Sequence, residues 1–185
     1  MAATKYAQSI KNDSREYLTT ALLQLLQTND LNDIKISQLV KRAGVSRMAF
    51  YRNFDTLDDV LRDYFESKIG HLFDDVIKHV SAADKLSRLD HFLSAFEDTI
   101  LLSIQRHYEY IIQQIFFDNM NRLYQTNSRV QDVPAAKRRY WIGFMSAGVY
   151  NIWREWLLGG KQDSVDDLHQ LLGDLQEATF QALGS

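Results

Sequence analysis

The sequence predicts an all-α protein, and three observations carry that expectation. One proline and eight glycines in 185 residues leave little material for turns. Apolar residues recur at i, i+3, i+4 and i+7 through most of the chain, the spacing that lines one face of a helix. No segment shows the apolar–polar alternation of a half-buried strand, and there is no repeat or low-complexity tract.

Taken in order, Ser14 is placed to cap a first helix whose apolar positions Leu18, Ala21, Leu22, Leu25 and Leu26 share one face. Asn29 to Asp33 is a polar break. A short second helix carries Ile36, Leu39, Val40 and Ala43 on one side, and Gly44 stops it. Ser46 caps a short third helix ending near Phe54. Thr56 opens a long fourth, with Asp59 completing a Thr-x-x-acid approximation to a capping box, and the apolar spacing carries it to about Val80. A further helix is read from about Asp84 to Ser103, then one or two between Tyr108 and Tyr124. Thr126 to Val133 reads as the one clear loop. Pro134 suits a first helical turn, and the helix behind it runs to Leu158 before Gly159-Gly160. Ser164 caps the last helix, which holds Asp166 and Asp167 in its first turn and continues to about Ala182.

Composition removes several classes of function. The absence of Cys excludes a disulfide framework, a thiolate metal site and a Cys nucleophile. No apolar run approaches the roughly 20 residues that span a bilayer. The opening segment lacks the apolar core of a signal peptide, so a cytoplasmic protein without a membrane partner is expected. No Gly-rich phosphate loop or serine elbow appears, and neither catalysis nor a cofactor is expected. His71, Asp75 and His79 fall along one helix face, but the first and last are over two turns apart. They read as a solvated stripe, with no metal site expected.

Charge divides unevenly. The formal net charge is −3, yet residues 1–54 carry eight Lys or Arg against four acids, and the remainder thirteen against twenty. A polyanion is drawn to the first part and repelled by the second.

The informative stretch runs from Ile36 to Phe54. Two short helices joined through Gly44, which can take a positive φ, set the second across the first, with Val40 and Phe50 spaced to meet at the crossing. Ser46, Arg47, Ala49, Tyr51, Arg52 and Asn53 remain outward. Their chemistry suits DNA: Arg for guanine edges or phosphate, Asn for adenine, Tyr and Ser hydroxyls for phosphate, Ala for a thymine methyl.

Residues 14 to 61 resemble the DNA-binding domain of the TetR family, whose turn reads Ala-Gly-Val-Ser and whose recognition helix ends in aromatic-x-x-Phe. This chain has Ala43-Gly44-Val45-Ser46 and Tyr51-Arg52-Asn53-Phe54. The resemblance implies that Tyr51 contacts phosphate, that Arg47, Ala49 and Arg52 lie nearest the base edges, and that the start of helix four faces phosphate. Three positions depart from the family pattern. Met48 stands where a small residue is usual, Lys35 replaces a capping Thr, with Ser37 left to supply a phosphate contact, and Leu57 replaces a Lys among Asp55, Asp58 and Asp59.

The resemblance further implies two domains. Residues 1–55 form a three-helix DNA-binding domain with its helix-turn-helix. Residues 56–185 form a larger helical domain for ligand binding and dimerisation. Family members pair through their last two helices, which places Phe144, Gly148, Ile152, Leu168, Leu172, Leu175 and Thr179 at a homodimer interface. An effector pocket among the middle helices would draw on Phe92, Phe96, Tyr108, Phe116, Phe117, Tyr124 and Trp153, each of which ordinary core packing explains more readily. The function expected is that of a ligand-responsive repressor binding palindromic operator DNA, with a small-molecule effector. A TetR-like interaction module that has lost operator binding is the competing expectation, resting on the acids around Leu57. An all-α enzyme is a third, for which no acid–base cluster is visible.

Overall fold

The computed structural model describes residues 2–77 and 96–183, and among them there are helices and no strand. The elements are α1 (Ala2–Leu26), α2 (Ile36–Ala43), α3 (Arg47–Tyr51), α4 (Leu57–Ile77), α5 (residues 96–105), α6 (Glu109–Thr126), α7 (Ser128–Gln131), α8 (Ala135–Leu158) and α9 (Val165–Gln181). The all-α expectation holds, with two local corrections. The first helix begins at Ala2 and not after Ser14, because no Gly or Pro precedes Gly44 to stop it. The loop expected at Thr126 to Val133 contains the single turn of α7, where Val130 is buried. Phe92, Asp75 and His79 cannot be placed: Phe92 and His79 lie outside the described residues, and so does the side chain of Asp75.

Sequence punctuation explains the helix ends. The amide of Val45 donates to Val40 O and that of Gly44 to Lys41 O, with Gly44 at φ +68°. That is a Schellman stop. Gly160, at φ +79°, closes α8 in the same way through Lys161 N to Trp156 O and Gly160 N to Leu157 O. At the end of α5 a histidine takes the role. His107 sits at φ +60°, with Tyr108 N bonded to Ser103 O at 2.9 Å and His107 N to Ile104 O at 3.4 Å. A left-handed conformation is uncommon for a residue with a Cβ, though His tolerates it better than most.

The described residues divide between two compact units, Met1–Ser67 with Thr99–Ile112 and Lys68–Asp98 with Gln113–Ser185. In the first, Leu18, Leu22 and Leu26 of α1 are fully buried together with Leu39, Phe50, Val60, Leu61, Phe65, Tyr108 and Ile111. Each such side chain contributes roughly 1.5–3 kcal/mol. The α5–α6 corner is fastened to the break after α1. Leu31 N donates to Arg106 O at 3.1 Å, Arg106 Nη2 to Gln27 O at 3.0 Å, and the Arg106 guanidinium meets Asp30 at 3.4 Å.

In the second unit Phe116 gathers Phe73, Tyr150 and Trp153 at centroid separations of 5.4, 5.5 and 6.1 Å. Trp141 stacks edge-on to both Tyr124 and Phe180. Trp153 and Leu168 form a buried pair flanked by Ile152, Trp156 and Leu172. Trp141 Nε1 donates to Thr179 Oγ1 at 3.1 Å, and Trp156 Nε1 to Asp163 O at 2.9 Å, so both indoles are satisfied.

Tyr108 is fully buried and stacked on Phe65, yet its hydroxyl has no hydrogen-bond partner among the described residues. Burial, and then the nearby Tyr64, push its pKa up to about 12. A pKa raised above the unfolded value contributes stability that is complete below pH 10 and lost as pH climbs towards 12. Tyr108→Phe is therefore expected to be neutral or slightly stabilising at pH 7. It should also flatten the alkaline decline by up to about 2–3 kcal/mol. Urea unfolding of both proteins at pH 7, 10 and 11.5 measures this, and parallel declines would refute it.

Candidate nucleic-acid interface

The helix-turn-helix is assembled from α2, the Gly44 turn and α3, packed on α1. The start of α2 is closed from an unexpected direction. The Lys35 ammonium can only donate, and Gln38 supplies the cap instead, its Oε1 accepting from Lys35 N at 2.7 Å. The signal was the Gln at the third helical position, the second half of a capping box. Ser46 caps α3 as its sequence position implied, its hydroxyl oxygen accepting from Ala49 N at 3.0 Å.

Phe50 fixes the orientation of α3. It is fully buried, with Tyr51 edge-on at 5.2 Å and Phe54 tilted at 6.3 Å. The opposite side of α3 is outward. Arg47, Tyr51 and Arg52 are exposed, and neither guanidinium nor the Tyr51 hydroxyl is bonded to any described residue. Met48 is 76% exposed, a placement that its helical distance from Phe50 would have revealed. Lys35 and Ser37 are exposed at the start of α2 and Ser46 at the start of α3, and Ala49 is half-buried.

Asn53 behaves differently from its outward neighbours. Its Nδ2 donates to Ala49 O at 2.7 Å, and its Oδ1 is buried without a partner. The amide is folded onto α3 itself.

The acids beside α3 hold internal positions. Asp59 Oδ2 accepts from Thr56 N at 2.8 Å, from Thr56 Oγ1 at 2.9 Å and from Asp55 N at 3.2 Å, while Asp59 N donates to Thr56 Oγ1 at 3.2 Å. The capping box is complete, and it fills amides that an outside anion would otherwise use. Asp58 accepts from the Tyr110 hydroxyl at 2.5 Å. Partial desolvation, the hydrogen bond and the Asp58 charge, against Arg62, push that phenol up to about 12. Asp63 is paired with Arg15, whose guanidinium also lies 4.9 Å over the Phe54 ring.

The body residues separate into inward and outward sets. Phe96, Phe116, Tyr124 and Trp153 are buried among their neighbours, Phe117 is half-buried, and Tyr108 belongs to the first unit. A cleft of about 500 Å³ lies elsewhere in the second unit, lined by Asn121, Gln125, Gln131, Arg138, Arg139 and Ile142. None of the expected aromatics lines it. Of the residues expected at a dimer interface, Phe144 and Leu175 are 63% and 41% exposed. Gly148 is half-buried. Ile152, Leu168 and Leu172 pack around Trp153 of the same chain, and Thr179 accepts from Trp141. The outward apolar stripe is Tyr140 and Phe144 on α8 with Leu171 and Leu175 on α9.

No family model matches the sequence, and no curated protein matches it. Solved structures do match. A TetR transcriptional regulator from Streptococcus agalactiae 2603V is 18% identical, with a TM-score of 0.62 over 95% of this chain and 99% of that one. The fold is TetR-like. The dihydroxyacetone kinase operon activator DhaS is 19% identical, with a TM-score of 0.55 over 92% and 97%. The fatty acid degradation regulator FadR from Bacillus halodurans is 16% identical, with a TM-score of 0.56 over 86% and 94%. In its TetR-like setting the Arg47 to Arg52 face is the exposed side of the second helix of the helix-turn-helix. Among the described residues, no group of three or more potential ligand side chains could hold a metal, and no helix is long and apolar enough to cross a membrane.

Removing the Asp59 carboxylate leaves helix-start amides uncapped. Asp59→Ala is expected to cost about 1 kcal/mol of stability, read as a lower urea midpoint with an unchanged slope. An unaltered midpoint would mean that the capping box contributes nothing in solution.

Proposed function

We propose that this protein is a DNA-binding transcriptional regulator that reads a palindromic operator as a homodimer and is released by a small-molecule effector. One observation carries the reading: Arg47, Tyr51 and Arg52 stand exposed along and just beyond α3, with neither guanidinium nor the Tyr51 hydroxyl bonded to any described residue, while Phe50 is turned into the core. Guanidinium groups held in this way suit guanine edges and phosphate, and the phenol suits phosphate. Lys35, Ser37 and Ser46 flank the same surface and would position the backbone. Ala49 lies beside it. Asn53 would reach a base only by exchanging its bond to Ala49 O, so its role in the free protein is to brace α3.

DNA binding is assigned to residues 1–55, and effector binding and dimerisation to residues 56–185. The outward stripe of Tyr140, Phe144, Leu171 and Leu175 suits a two-fold contact, since such exposed apolar groups call for a partner. The effector would bind the body better in the state that cannot hold DNA, and operator DNA would then weaken effector binding equally. A shift of α4, which contributes to both units, would carry the change. We read the regulator as a repressor. A similar structure is named an activator, so the sign rests on where the operator lies. The interaction-module reading draws on the Asp59-filled amides of α4 and on Asp55, and it requires no DNA contact from α3.

Selection from randomised duplex DNA is expected to yield a palindrome whose affinity falls steeply with salt. The Arg47→Glu, Arg52→Glu double variant should bind the selected duplex roughly a hundredfold more weakly or worse. A folded protein that enriches nothing at low salt, and keeps its activity in the double variant, would establish the interaction module instead. Phe144→Glu is expected to shift the protein from dimer to monomer in sedimentation while leaving its helical circular dichroism intact. A dimer that survives both this change and Leu175→Glu would place the interface elsewhere.

A further inference from the structure

We infer that Met48 reads a thymine methyl group in each operator half-site. The inference rests on the DNA-binding reading above and adds a specificity determinant to it.

The argument begins with the phase of α3. At about 100° per residue, Met48 lies about 200° from Phe50 around the helix axis. Phe50 is the fully buried anchor, so Met48 points almost directly away from the core and is 76% exposed. Arg47 and Tyr51 fall on one side of it and Arg52 on the other, all exposed. The crest of the helix is thus an apolar chain set among hydrogen-bonding groups.

A single exposed methionine needs no explanation on most surfaces. Here its position supplies one, because whatever α3 enters, Met48 enters first. A thioether is at best a weak acceptor and donates nothing. Base edges in the major groove are polar apart from one group, the C5-methyl of thymine. Against a cytosine amino group Met48 would strip water and return no hydrogen bond, which disfavours G·C at that position. Against thymine it gains a methyl contact, and its unbranched, freely rotating chain adapts to find it. Ala49 is the shorter alternative, but it is half-buried on the flank of α3 and its amide is tied to Ser46.

The test uses the full-length protein and the duplex recovered by selection, resynthesised with each thymine in turn replaced by uracil. That change removes one methyl and leaves base pairing intact. The wild-type protein is expected to lose affinity roughly three- to fivefold at one position per half-site, the ratio given by burial of one methyl group. Met48→Ala should bind thymine and uracil duplexes equally at that position, and Met48→Leu should keep the difference. The side chain lies outside the core, so circular dichroism and melting of both variants should match the parent. Equal binding of thymine and uracil at every position by the wild type overturns the inference while leaving operator binding intact. A wild-type difference that persists unchanged in Met48→Ala, or a consensus without thymine, does the same. Failure to select any duplex overturns the inference and the DNA-binding reading together.

Discussion

The burial of one phenylalanine in a helix of five residues governs the rest of the first unit. A helix as short as α3 has no stability of its own, since isolated helices become self-supporting only at about 12–15 residues. Its direction is imposed by Phe50 at the crossing, by the left-handed turn at Gly44 and by the Ser46 cap. Once these three fix α3, the outward arc from Arg47 to Arg52 follows from helical rotation alone. The chemistry of that face depends on a core contact that touches no ligand.

The second governing feature is electrostatic. The overall charge is negative, and three acids crowd the start of α4, an arrangement that opposes a polyanion. Two of them have internal tasks: Asp59 closes the capping box and Asp58 accepts from Tyr110, while nearby Asp63 balances Arg15. Arg47 and Arg52, by contrast, have no such bond among the described residues. Asp58, Asp59 and Asp63 are thus tied to groups of their own unit, while the guanidiniums of Arg47 and Arg52 are exposed.

What the sequence made legible follows from the range of the interactions involved. Caps and turns are local, and Gly44, Ser46, Thr56 with Asp59, and Ser164 do what their positions implied. The Gln38 cap is equally local, although the residue at the cap position, Lys35, carries no acceptor to signal it. The stripe on the last helix was less tractable. Periodicity identifies an apolar face without saying what covers it. Leu168 and Thr179 turn to Trp153 and Trp141 of their own chain, whereas Leu171 and Leu175 remain outward. The body aromatics carry a related ambiguity: Phe116 and its neighbours pack on one another, which composition cannot distinguish from lining a cavity. Asn53 shows a further ambiguity, since a polar side chain at a helix end can bond to its own backbone, here Ala49 O, as readily as to a partner.

The fastening of the α5–α6 corner bears on how such a protein can be recombined. A segment cut after residue 55 would carry the helix-turn-helix but not Arg106, which receives Leu31 N and reaches Gln27 and Asp30. It would also lose Val60, Leu61, Phe65, Tyr108 and Ile111, all fully buried in the same unit. Exchange of the first unit between proteins of this fold would therefore have to graft two stretches separated in sequence, or else change only the outward residues of α3. The second route alters surface alone, and it leaves α3 free to diversify on an unchanged mount.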